Sequence, residues 1–432
     1  MTVPVSKPRQ DLEHITRAAV DAVTARRVMA RAFGDADVAE VLTGRALHVI
    51  AVGKAAAAMA AAFVASPHLA IRQAIAIGTH RHADLPASVD WMESSHPFPD
   101  ERSETAANRA IAVAQGVHSG EALVILLSGG ASALMASPIA GISLSEKIDA
   151  TRLMMASGAD IHALNTVRRH LSKVKGGRLA AACVGTTITL AISDVVGDDL
   201  NAIGSGPGVP DPTTWSDAAA ALDRFGGERH SAGVRAVMRA GVEGSLADTP
   251  KPGHPSIARA KARVIGNRSD AMEGALDAAV ALGYHAVIVA EPTVGEARIA
   301  GPQWLERMRF VVEGLHRPGC LITSGETTVT VAGTGKGGRN LEFSLALAES
   351  LAATPGIAIA SIGTDGIDGS SGVAGAIVDS TTMARAAQAG LAAPGHYLAA
   401  NDSLAFFAPL GDVVRLGRTD TNVGDLQVLL ID

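Results

Sequence analysis

The sequence feature that most constrains the fold is a short apolar run followed by a small-residue turn and a helix-forming segment. Ala46–Val52 (ALHVIAV) is the first such run, and a glycine separates it from the alanine-rich segment 54–64, so Lys54 falls at a strand-to-helix junction. Ala122–Leu127 (ALVILL) and residues 187–192 repeat the pattern. Continuous apolar runs that alternate with helices indicate parallel strands covered on both faces.

The pattern predicts an α/β fold, and the length of 432 residues predicts more than one domain. Residues 244–256 are rich in Pro and Gly without periodicity, so they are the predicted linker. We expect residues 1–248 to form a Rossmann-like, three-layer αβα domain with a mainly parallel sheet. Residues 249–432 are expected to form a second α/β domain, with a mixed sheet that contains an antiparallel pair.

The composition agrees with this fold class and narrows the range of partners. Only 3% of the residues are aromatic while 46 are glycine, which favours Gly-lined loops between strands and helices over a β-sandwich. The formal net charge of −6 argues against nucleic acid or an anionic membrane surface as a partner.

The two cysteines and the N-terminal sequence predict the cellular compartment. Cys183 and Cys320 lie far apart in apolar stretches, so we expect buried, reduced thiols and neither a disulfide framework nor a Cys-rich metal site. The N-terminal sequence has no apolar core of the kind found in signal peptides, and no uncharged apolar run reaches about 18 residues. These observations predict a cytoplasmic protein.

A glycine-rich turn follows the ALVILL strand and is a candidate phosphate site. It reads Ser128-Gly129-Gly130-Ala131-Ser132. Small residues allow the backbone amides to approach an anion, and the start of the next helix adds a favourable dipole. The alternative is an ordinary tight turn between a strand and a helix, because glycine-rich turns alone are weak signals.

A cluster of cations follows within residues 161–178. Apolar residues recur there at helical spacing, and the cations lie largely outside that apolar stripe. The cations are Arg168, Arg169, Lys173, Lys175 and Arg178. With no acidic residue among them, they could meet a nucleotide or a carboxylate, although such a run is as often a solvated helix face.

Two further loops carry acidic residues or glycines. Asp194 stands directly after the strand that ends at residue 192, and Asp198 and Asp199 follow it. Mg²⁺ usually takes one or two carboxylates in addition to substrate phosphates, so Asp194 is the candidate metal ligand, whereas the other two are as well suited to capping. The glycine-rich run 204–208, which includes Gly206, offers another loop for close approach of a ligand.

The segment 333–339 (GTGKGGR) lies between a predicted strand at 328–332 and a predicted helix. Its glycines have G-x-G-x-x-G spacing, so a dinucleotide-binding loop is an alternative interpretation of this segment. Two cations in the turn fit the binding of a phosphate or carboxylate better than they fit a dinucleotide-binding loop. Arg339 can bind such a group through two parallel hydrogen bonds. Asp365, after the next strand, is a candidate for Mg²⁺ or hydroxyl binding, or belongs to a turn rich in Asp and Gly.

Taken together, these loops resemble those of the class II glycerate 2-kinases, the family with an N-terminal DUF4147 domain and a C-terminal MOFRL domain. The matching segments are 52–55 (VGKA), 96–100 (HPFPD), 127–134 (LSGGASAL), 165–168 (NTVR), 175–178 (KGGR), 193–198 (SDVVGD), 204–207 (GSGP), 324–329 (SGETTV), 337–340 (GGRN) and 363–369 (GTDGIDG). They span most of the chain in order, which makes the resemblance far more specific than any one loop. Relatives of this family have also been labelled hydroxypyruvate reductases.

The resemblance implies ATP- and Mg²⁺-dependent phosphorylation of D-glycerate at its 2-hydroxyl, giving 2-phosphoglycerate, in a cleft between two α/β domains. It implies that Lys54 and Arg339 are active-site cations. We expect the 128–132 turn, Lys175, Gly206 and Asp365 to bind the cofactor, and Asp194 to bind Mg²⁺ or take the hydroxyl proton.

Two alternatives remain at this stage, an NAD(P)H-dependent hydroxypyruvate reductase and a non-catalytic metabolite-binding protein. A kinase of a related small hydroxy acid is a variant of the main prediction. A homodimer is one oligomeric state that is compatible with the predicted enzyme.

Overall fold

The computed structural model describes residues 6–432, which divide into two compact units. The unit called here the parallel-sheet unit comprises Val28–Ile265. The mixed-sheet unit comprises Gly266–Asp432 together with residues 6–27. Each unit is described by itself below.

Over the described residues, the strands alternate with helices through most of the chain. The strands are β1 (Ala46–Val52), β2 (Ala70–Gly78), β3 (Asp90–Glu93), β4 (Ala122–Leu127), β5 (Thr186–Ile192), β6 (Ala260–Gly266), β7 (His285–Ile288), β8 (Thr293–Glu296), β9 (Gly319–Thr328), β10 (Ile357–Gly363), β11 (Gly375–Asp379), β12 (Val413–Val414) and β13 (Asp425–Ile431). The helices are α1 (Lys7–Ala22), α2 (Ala25–Phe33), α3 (Ala36–Leu42), α4 (Ala56–Val64), α5 (Glu101–Gln115), α6 (Ala131–Leu134), α7 (Leu144–Ala156), α8 (Ile161–His170), α9 (Arg178–Ala181), α10 (Trp215–Arg224), α11 (Ala232–Val242), α12 (Arg268–Ala281), α13 (Ala297–Glu313), α14 (Arg339–Ala352), α15 (Thr382–Gln388), α16 (Pro394–Ala399) and α17 (Ser403–Phe407).

The parallel-sheet unit is built on a six-stranded sheet with the order β3-β2-β1-β4-β5-β6. The pairs from β3 to β5 are all parallel. The apolar runs of β1, β4 and β5 are buried almost throughout, as their sequences predict. This strand order is that of the dinucleotide-binding Rossmann fold, so the predicted Rossmann-like architecture is confirmed.

A second core in the same unit is purely helical. It joins α7, α8, α10 and α11 around Met154, Leu164, Val167 and Trp215. Each of these helices has its apolar residues three or four positions apart, which gives it one face to bury. Two of these helices, α7 and α8, also carry cations that line a cavity described below.

The mixed-sheet unit has the strand order β12-β11-β10-β13-β9-β7, with β8 also paired to β9. β13 is antiparallel to both β9 and β10, while β7 and β8 are parallel to β9. Alternate residues of each strand face opposite sides of the sheet. Leu429 and Ile431 therefore pack with α13 and α14, whereas Val428 and Leu430 pack with α1 and α12. The predicted mixed sheet with an antiparallel pair is confirmed.

The division into units differs from the predicted boundary between residues 248 and 249. The chain stays in the first unit through β6, which pairs with β5 at the edge of the sheet. Residues 244–256 are packed against that unit: the Thr249 hydroxyl donates a 3.0 Å hydrogen bond to Asp211, and the amide of Asp211 donates one of 2.9 Å to the carbonyl of Pro250. At the other end of the chain, α1 packs on α12 and so belongs to the mixed-sheet unit.

The strand predicted at 328–332 is not formed: β9 ends at Thr328 and the following residues are held as an irregular turn. Both cysteines are buried free thiols, as predicted. Within residues 6–432, no helix combines the length and the apolar character needed to cross a membrane.

Candidate active site

The order of the parallel sheet creates a switch point between β1 and β4. Successive strands run outward from β1 in one direction through β3, and from β4 in the other. In open α/β sheets, ligands bind beyond the carboxyl ends of the strands at such a point. β1 and β4 end side by side, with Val52 opposite Leu127. Lys54 and Ser128, which follow these strands, are therefore neighbours in the place where a ligand is expected.

The turns after β1 and β4 are hydrogen-bonded to each other. The Lys54 amide donates a 2.8 Å hydrogen bond to the Gly129 carbonyl, and the Ala55 amide donates one of 3.1 Å to the buried Ser128 hydroxyl. Gly53 has φ +131°, and a side chain there would overlap Ser128. The backbone is thus fixed on both turns while the Lys54 side chain is exposed.

Asp194 lies against the same turn from the neighbouring strand. It follows β5, which pairs in parallel with β4, and its carboxylate occupies the space that a side chain on residue 129 would need. Only glycine at that position leaves room for the carboxylate. Lys54, Ser128, Gly129 and Asp194 therefore lie together within this unit.

The His96 ring also lies against this turn, at Gly130. The φ of +85° at Gly130 is in the left-handed region that favours glycine, and the His96 ring and the aliphatic part of Lys54 lie against its Cα. Desolvation and the positive charge of Lys54 lower the pKa of His96, so its imidazole is neutral at pH 7.

The rest of the turn is tied to the helical core. The hydroxyls of Ser132 and Ser205 share a 2.7 Å hydrogen bond, and Ser205 donates a further bond to Asn165. The Lys175 ammonium, 1% exposed, donates 2.9 Å and 3.4 Å bonds to the carbonyls of Ser132 and Met135. Burial, reinforced by the charges of Lys147 and Arg168, lowers the pKa of Lys175.

The predicted cation cluster divides into structural and cavity-lining members. Arg169 forms a buried 3.0 Å ion pair with Asp211, and Arg178 donates to the carbonyl of Ala247. Lys173 is exposed. Only Arg168 and Lys175 line the cavity next to the 128–132 turn.

The remaining loop residues of this unit have structural partners. Gly206 accepts a 2.7 Å hydrogen bond from the Gly177 amide, and a side chain on it would press on Val209 and Asn201. Asp199 caps a turn by accepting from the Asn201 amide. The cofactor-binding role of Gly206 stays a prediction.

In the mixed-sheet unit, Arg339 begins α14 and is held by two carboxylates. Its Nε lies 2.7 Å from Asp425 and one Nη lies 2.9 Å from Glu326. The charges of Asp425 and Glu326 outweigh burial and raise the pKa of Arg339, so it stays protonated. The side chain is 31% exposed, so part of the guanidinium faces solvent.

Two buried carboxyl groups support Arg339. Asn340 donates from its side chain to both, over 2.9 Å to Asp425 and 3.2 Å to Asp368. Burial raises the pKa of Asp425 and of Asp368, and the positive charge of Arg339 acts against this rise in both. Sequence reasoning left Asp425 without a role and gave no signal for the pair, because the partners are far apart in the chain.

The glycines of segment 333–339 serve packing within the protein. Side chains at Gly333 and Gly335 would overlap Ala400 and Asp402, and one at Gly338 would overlap Asp368. The amide groups in this turn are already used: those of 332 and 333 bond to the Asn401 side chain, and that of Lys336 to Asp402.

The backbone amides at the start of α14 are also hydrogen-bonded within the protein. The Asp368 carboxylate accepts from the amides of Asn340 and Leu341 at 3.1 Å and 2.8 Å. A dinucleotide fingerprint needs these helix-start amides for its pyrophosphate. The strands also differ from that motif, because the antiparallel β13 lies between β9 and β10. The structure therefore does not support the dinucleotide alternative.

Asp365 has the turn role that sequence reasoning left open. Its carboxylate accepts a 3.2 Å hydrogen bond from the Ile367 amide, as Asp does in turns. Its role in binding a cofactor stays a prediction.

A magnesium ion fits the parallel-sheet unit only together with a phosphate ligand. Among the described residues, no group of three or more His, Cys, Asp or Glu side chains could hold a metal ion. Mg²⁺ needs only one or two protein carboxylates when phosphates supply its other ligands. Asp194, beside the amide-rich turn, meets that requirement.

Comparison with known proteins assigns both parts of the chain. Residues 11–239 match the model of DUF4147, described as a domain of unknown function, and residues 319–425 match that of the MOFRL family. The chain is 39% identical to a protein of Agrobacterium vitis named "Putative hydroxypyruvate reductase", over 95% of each chain.

Two further matches concern proteins named as kinases. The D-glycerate 2-kinase of Thermotoga maritima is 35% identical over 98% of this chain and 99% of its own. A crystal structure of glycerate kinase from the same organism superposes with a TM-score of 0.87 at 33% identity, covering 98% of this chain and 99% of that one. The chain therefore belongs to the protein family that combines a DUF4147 domain with a MOFRL domain.

Proposed function

We propose that the protein is a glycerate 2-kinase, which transfers the terminal phosphoryl group of ATP to the 2-hydroxyl of D-glycerate and forms 2-phosphoglycerate. The observation that carries the proposal is the interlocked pair of turns after β1 and β4, in which the Lys54 amide is bonded to the Gly129 carbonyl. The names of the kinases in the same family support the choice of glycerate as acceptor.

The 128–132 turn and Lys54 have the chemistry that phosphoryl transfer requires. The protein has little covalent work to do in this reaction; it must hold phosphate oxygens and balance the charge that develops on them. Backbone amides of a turn that is fixed before the substrate arrives do so without reorganisation, and the Lys54 ammonium beside them adds positive charge. The hydrogen bonds that Ala55 and Lys54 donate across the two turns give this fixed arrangement.

Asp194 is the proposed magnesium ligand. When bound, Mg²⁺ neutralises negative charge on the phosphates. The alternative role for Asp194 is to accept the proton of the acceptor hydroxyl. Its position against Gly129 supports either role, because in both the carboxylate must lie beside the phosphate-binding turn.

Arg339 is proposed to supply a second positive charge, for the acceptor carboxylate or the γ-phosphate. The ion pair with the buried Asp425 fixes the direction of the guanidinium at the start of α14. A planar guanidinium oriented in this way suits a carboxylate or phosphate partner.

The test is a product analysis. Purified protein is incubated with ATP, Mg²⁺ and a panel of C3 and C4 hydroxy acids, and phosphorus NMR identifies the products. The proposal expects 2-phosphoglycerate from D-glycerate. A different phosphorylated acid would show that the acceptor is not glycerate. Formation of 3-phosphoglycerate would show that the phosphoryl group is transferred to the 3-hydroxyl. Hydroxypyruvate-dependent oxidation of NADH without phosphoryl transfer would establish the reductase instead.

A further inference from the structure

A cavity of about 270 Å³ lies beside the phosphate-binding turn, inside the parallel-sheet unit. Gly130 and Ser132 of the turn form one wall, and α7 and α8 form another. Drug-sized ligands occupy cavities of about 300–1,000 Å³, so this one suits a smaller molecule. The walls include apolar groups, among them Ala133, Ala136 and Ile148.

The polar part of the cavity is cationic. Lys147, Arg168 and Lys175 all line it, and no Asp or Glu is among its lining residues. The three cations act on each other, since the charges of Arg168 and Lys147 both disfavour protonation of Lys175. Three basic side chains with no carboxylate among the lining residues suit an anionic ligand, whose charge would favour their protonated forms.

Lys147 gives the clearest sign of an anionic ligand. It is 5% exposed, and its ammonium nitrogen is buried without a hydrogen-bond partner in the described part of the chain. Burying an ammonium group without a partner is costly, and native proteins rarely leave such a group unsatisfied. The position on α7 directs the side chain into the cavity rather than into solvent.

The neighbouring cations also have donors left for a ligand. In its protonated form, which a bound anion favours, Lys175 has three N–H donors, of which two are used by the carbonyls of Ser132 and Met135. The Arg168 side chain makes no hydrogen bond or ion pair with another residue of the described range 6–432. Its planar guanidinium can bind a carboxylate through two parallel hydrogen bonds.

The geometry points to this cavity as the binding site for the carboxylate of the acceptor hydroxy acid. Arg168 and Lys147 bind the two carboxylate oxygens, Lys175 adds its remaining donor, and the apolar walls contact the carbon chain. Because Gly130 and Ser132 belong to both the cavity and the phosphate-binding turn, an acid bound there has its hydroxyl next to the transferred group. The inference rests on the proposed function and extends it by assigning the acceptor's carboxylate to α7 and α8.

The test compares Lys147→Met with wild type by isothermal titration calorimetry. The probes are D-glycerate, other C3 and C4 hydroxy acids, inorganic phosphate and ADP with Mg²⁺. We expect the affinity for D-glycerate to fall about 10- to 100-fold, the loss typical of a charge-assisted hydrogen bond, with ADP affinity unchanged. Lys261→Met is the control, because Lys261 forms an exposed ion pair with Glu40 and its loss removes the same charge.

The outcomes separate the inference from the proposed function. Unchanged acid affinity in Lys147→Met, or a loss of ADP or phosphate affinity with acid affinity intact, would overturn the inference and assign the cavity to phosphate. If wild type phosphorylates no glycerate, the proposed function fails. The cavity assignment then stands only if wild type binds another acid of the panel and Lys147→Met does not. Lys147→Arg should restore most of the acid affinity, which a purely structural role would not predict.

Discussion

The backbone amide of Lys54 donates a 2.8 Å hydrogen bond to the carbonyl oxygen of Gly129, which joins the turns that follow β1 and β4. The bond involves only main-chain atoms, so it holds the position of residue 54 whatever side chain stands there. The Lys54 side chain can therefore be replaced without loss of the local backbone. This separation of backbone position from side-chain chemistry makes the site testable by substitution.

Ser128→Ala should reduce both stability and turnover. The hydroxyl accepts the Ala55 amide hydrogen, and without it a buried N–H loses its partner, which costs about 1–3 kcal/mol. Chemical denaturation measures the stability, and steady-state assays measure kcat. Ser172→Ala is a matched control, because the buried Ser172 hydroxyl accepts from the Val174 amide away from the turn. The assignment fails if both variants lose kcat equally.

Gly129→Ala should remove activity by displacing Asp194. The added methyl group would occupy the space of the Asp194 carboxylate, and overpacking of this kind costs about 1–3 kcal/mol. We expect kcat to fall as far as in Asp194→Asn, with little further loss in the double variant. Gly395→Ala is the control, since a side chain at Gly395 meets open space. Full additivity of the two losses would show that Gly129 and Asp194 act independently.

The affinity for the acceptor acid should depend on pH through Lys147. Burial and the nearby charge of Arg168 lower the pKa of Lys147 to about 7, while Glu104 acts in the opposite direction. Lys147 is charged below that pH and neutral above it, so D-glycerate affinity should fall as pH rises from 6 to 9. Lys175 and His96 also face the cavity and have lowered pKa values. Calorimetry on Lys147→Arg separates the contributions, because that variant should bind with a flatter pH profile.

Lys147→Met should stabilise the protein while it weakens acid binding. A shift of the Lys147 pKa from 10.5 to about 7 corresponds to an upper limit of about 5 kcal/mol for burying the charge, at roughly 1.4 kcal/mol per unit. We expect a gain of about 1–3 kcal/mol at pH 6, allowing for imperfect packing of the Met side chain.

The sign of the pH effect follows from proton uptake. Below pH 7 Lys147 is charged in both the folded and the unfolded state, so the full free-energy cost of burying its charge lowers the stability of the folded state. Between pH 7 and 10.5 the unfolded state binds more protons, so wild type gains stability as pH rises. The advantage of Lys147→Met should therefore shrink over this range. A variant less stable than wild type at pH 6 would indicate that Lys147 holds the fold together.

Arg339→Ala should lower stability as well as turnover. It leaves the buried Asp425 carboxyl without its counter-ion, and because the Arg339 side chain is 31% exposed we expect about 1–3 kcal/mol, less than for a fully buried pair. The deficit should grow as pH rises above about 7, where the folded wild-type Asp425 carboxyl ionises beside Arg339 while the same carboxyl in the variant stays protonated. Denaturation of Arg339→Ala, Asp425→Asn and the double variant measures the coupling, and simple additivity would contradict the ion pair's role.

Much of the parallel-sheet unit could be predicted because its signals are local. The ALHVIAV and ALVILL runs identify buried strands, and the residues that follow them identify the loops at the switch point. Lys54, Ser128 and Asp194 could be proposed together because parallel strands bring their carboxyl ends to one edge of the sheet.

Other features depend on contacts between distant segments. Lys147 follows Glu146 near the start of α7, where a lysine usually faces solvent, and only the packing of α7 beside the turn buries it. Likewise, nothing near Arg339 in the sequence indicates its pairing with Asp425. The glycine spacing at 333–338 was misleading because close packing against residues 400–402 and Asp368 requires glycine as much as a pyrophosphate would.

The role of Lys54 in phosphoryl transfer to glycerate is tested most directly by measuring glycerate-dependent ADP formation. Wild type, Lys54→Ala and the surface control Lys261→Ala are assayed side by side. Circular dichroism and melting temperatures establish that all three are folded. We predict that wild type and Lys261→Ala form ADP only when D-glycerate and Mg²⁺ are present. For a folded Lys54→Ala we predict a kcat about 10²–10³-fold lower, the loss typical of removing one donor to a developing charge. Wild-type turnover in Lys54→Ala, or ADP formation that does not depend on glycerate, would contradict this role.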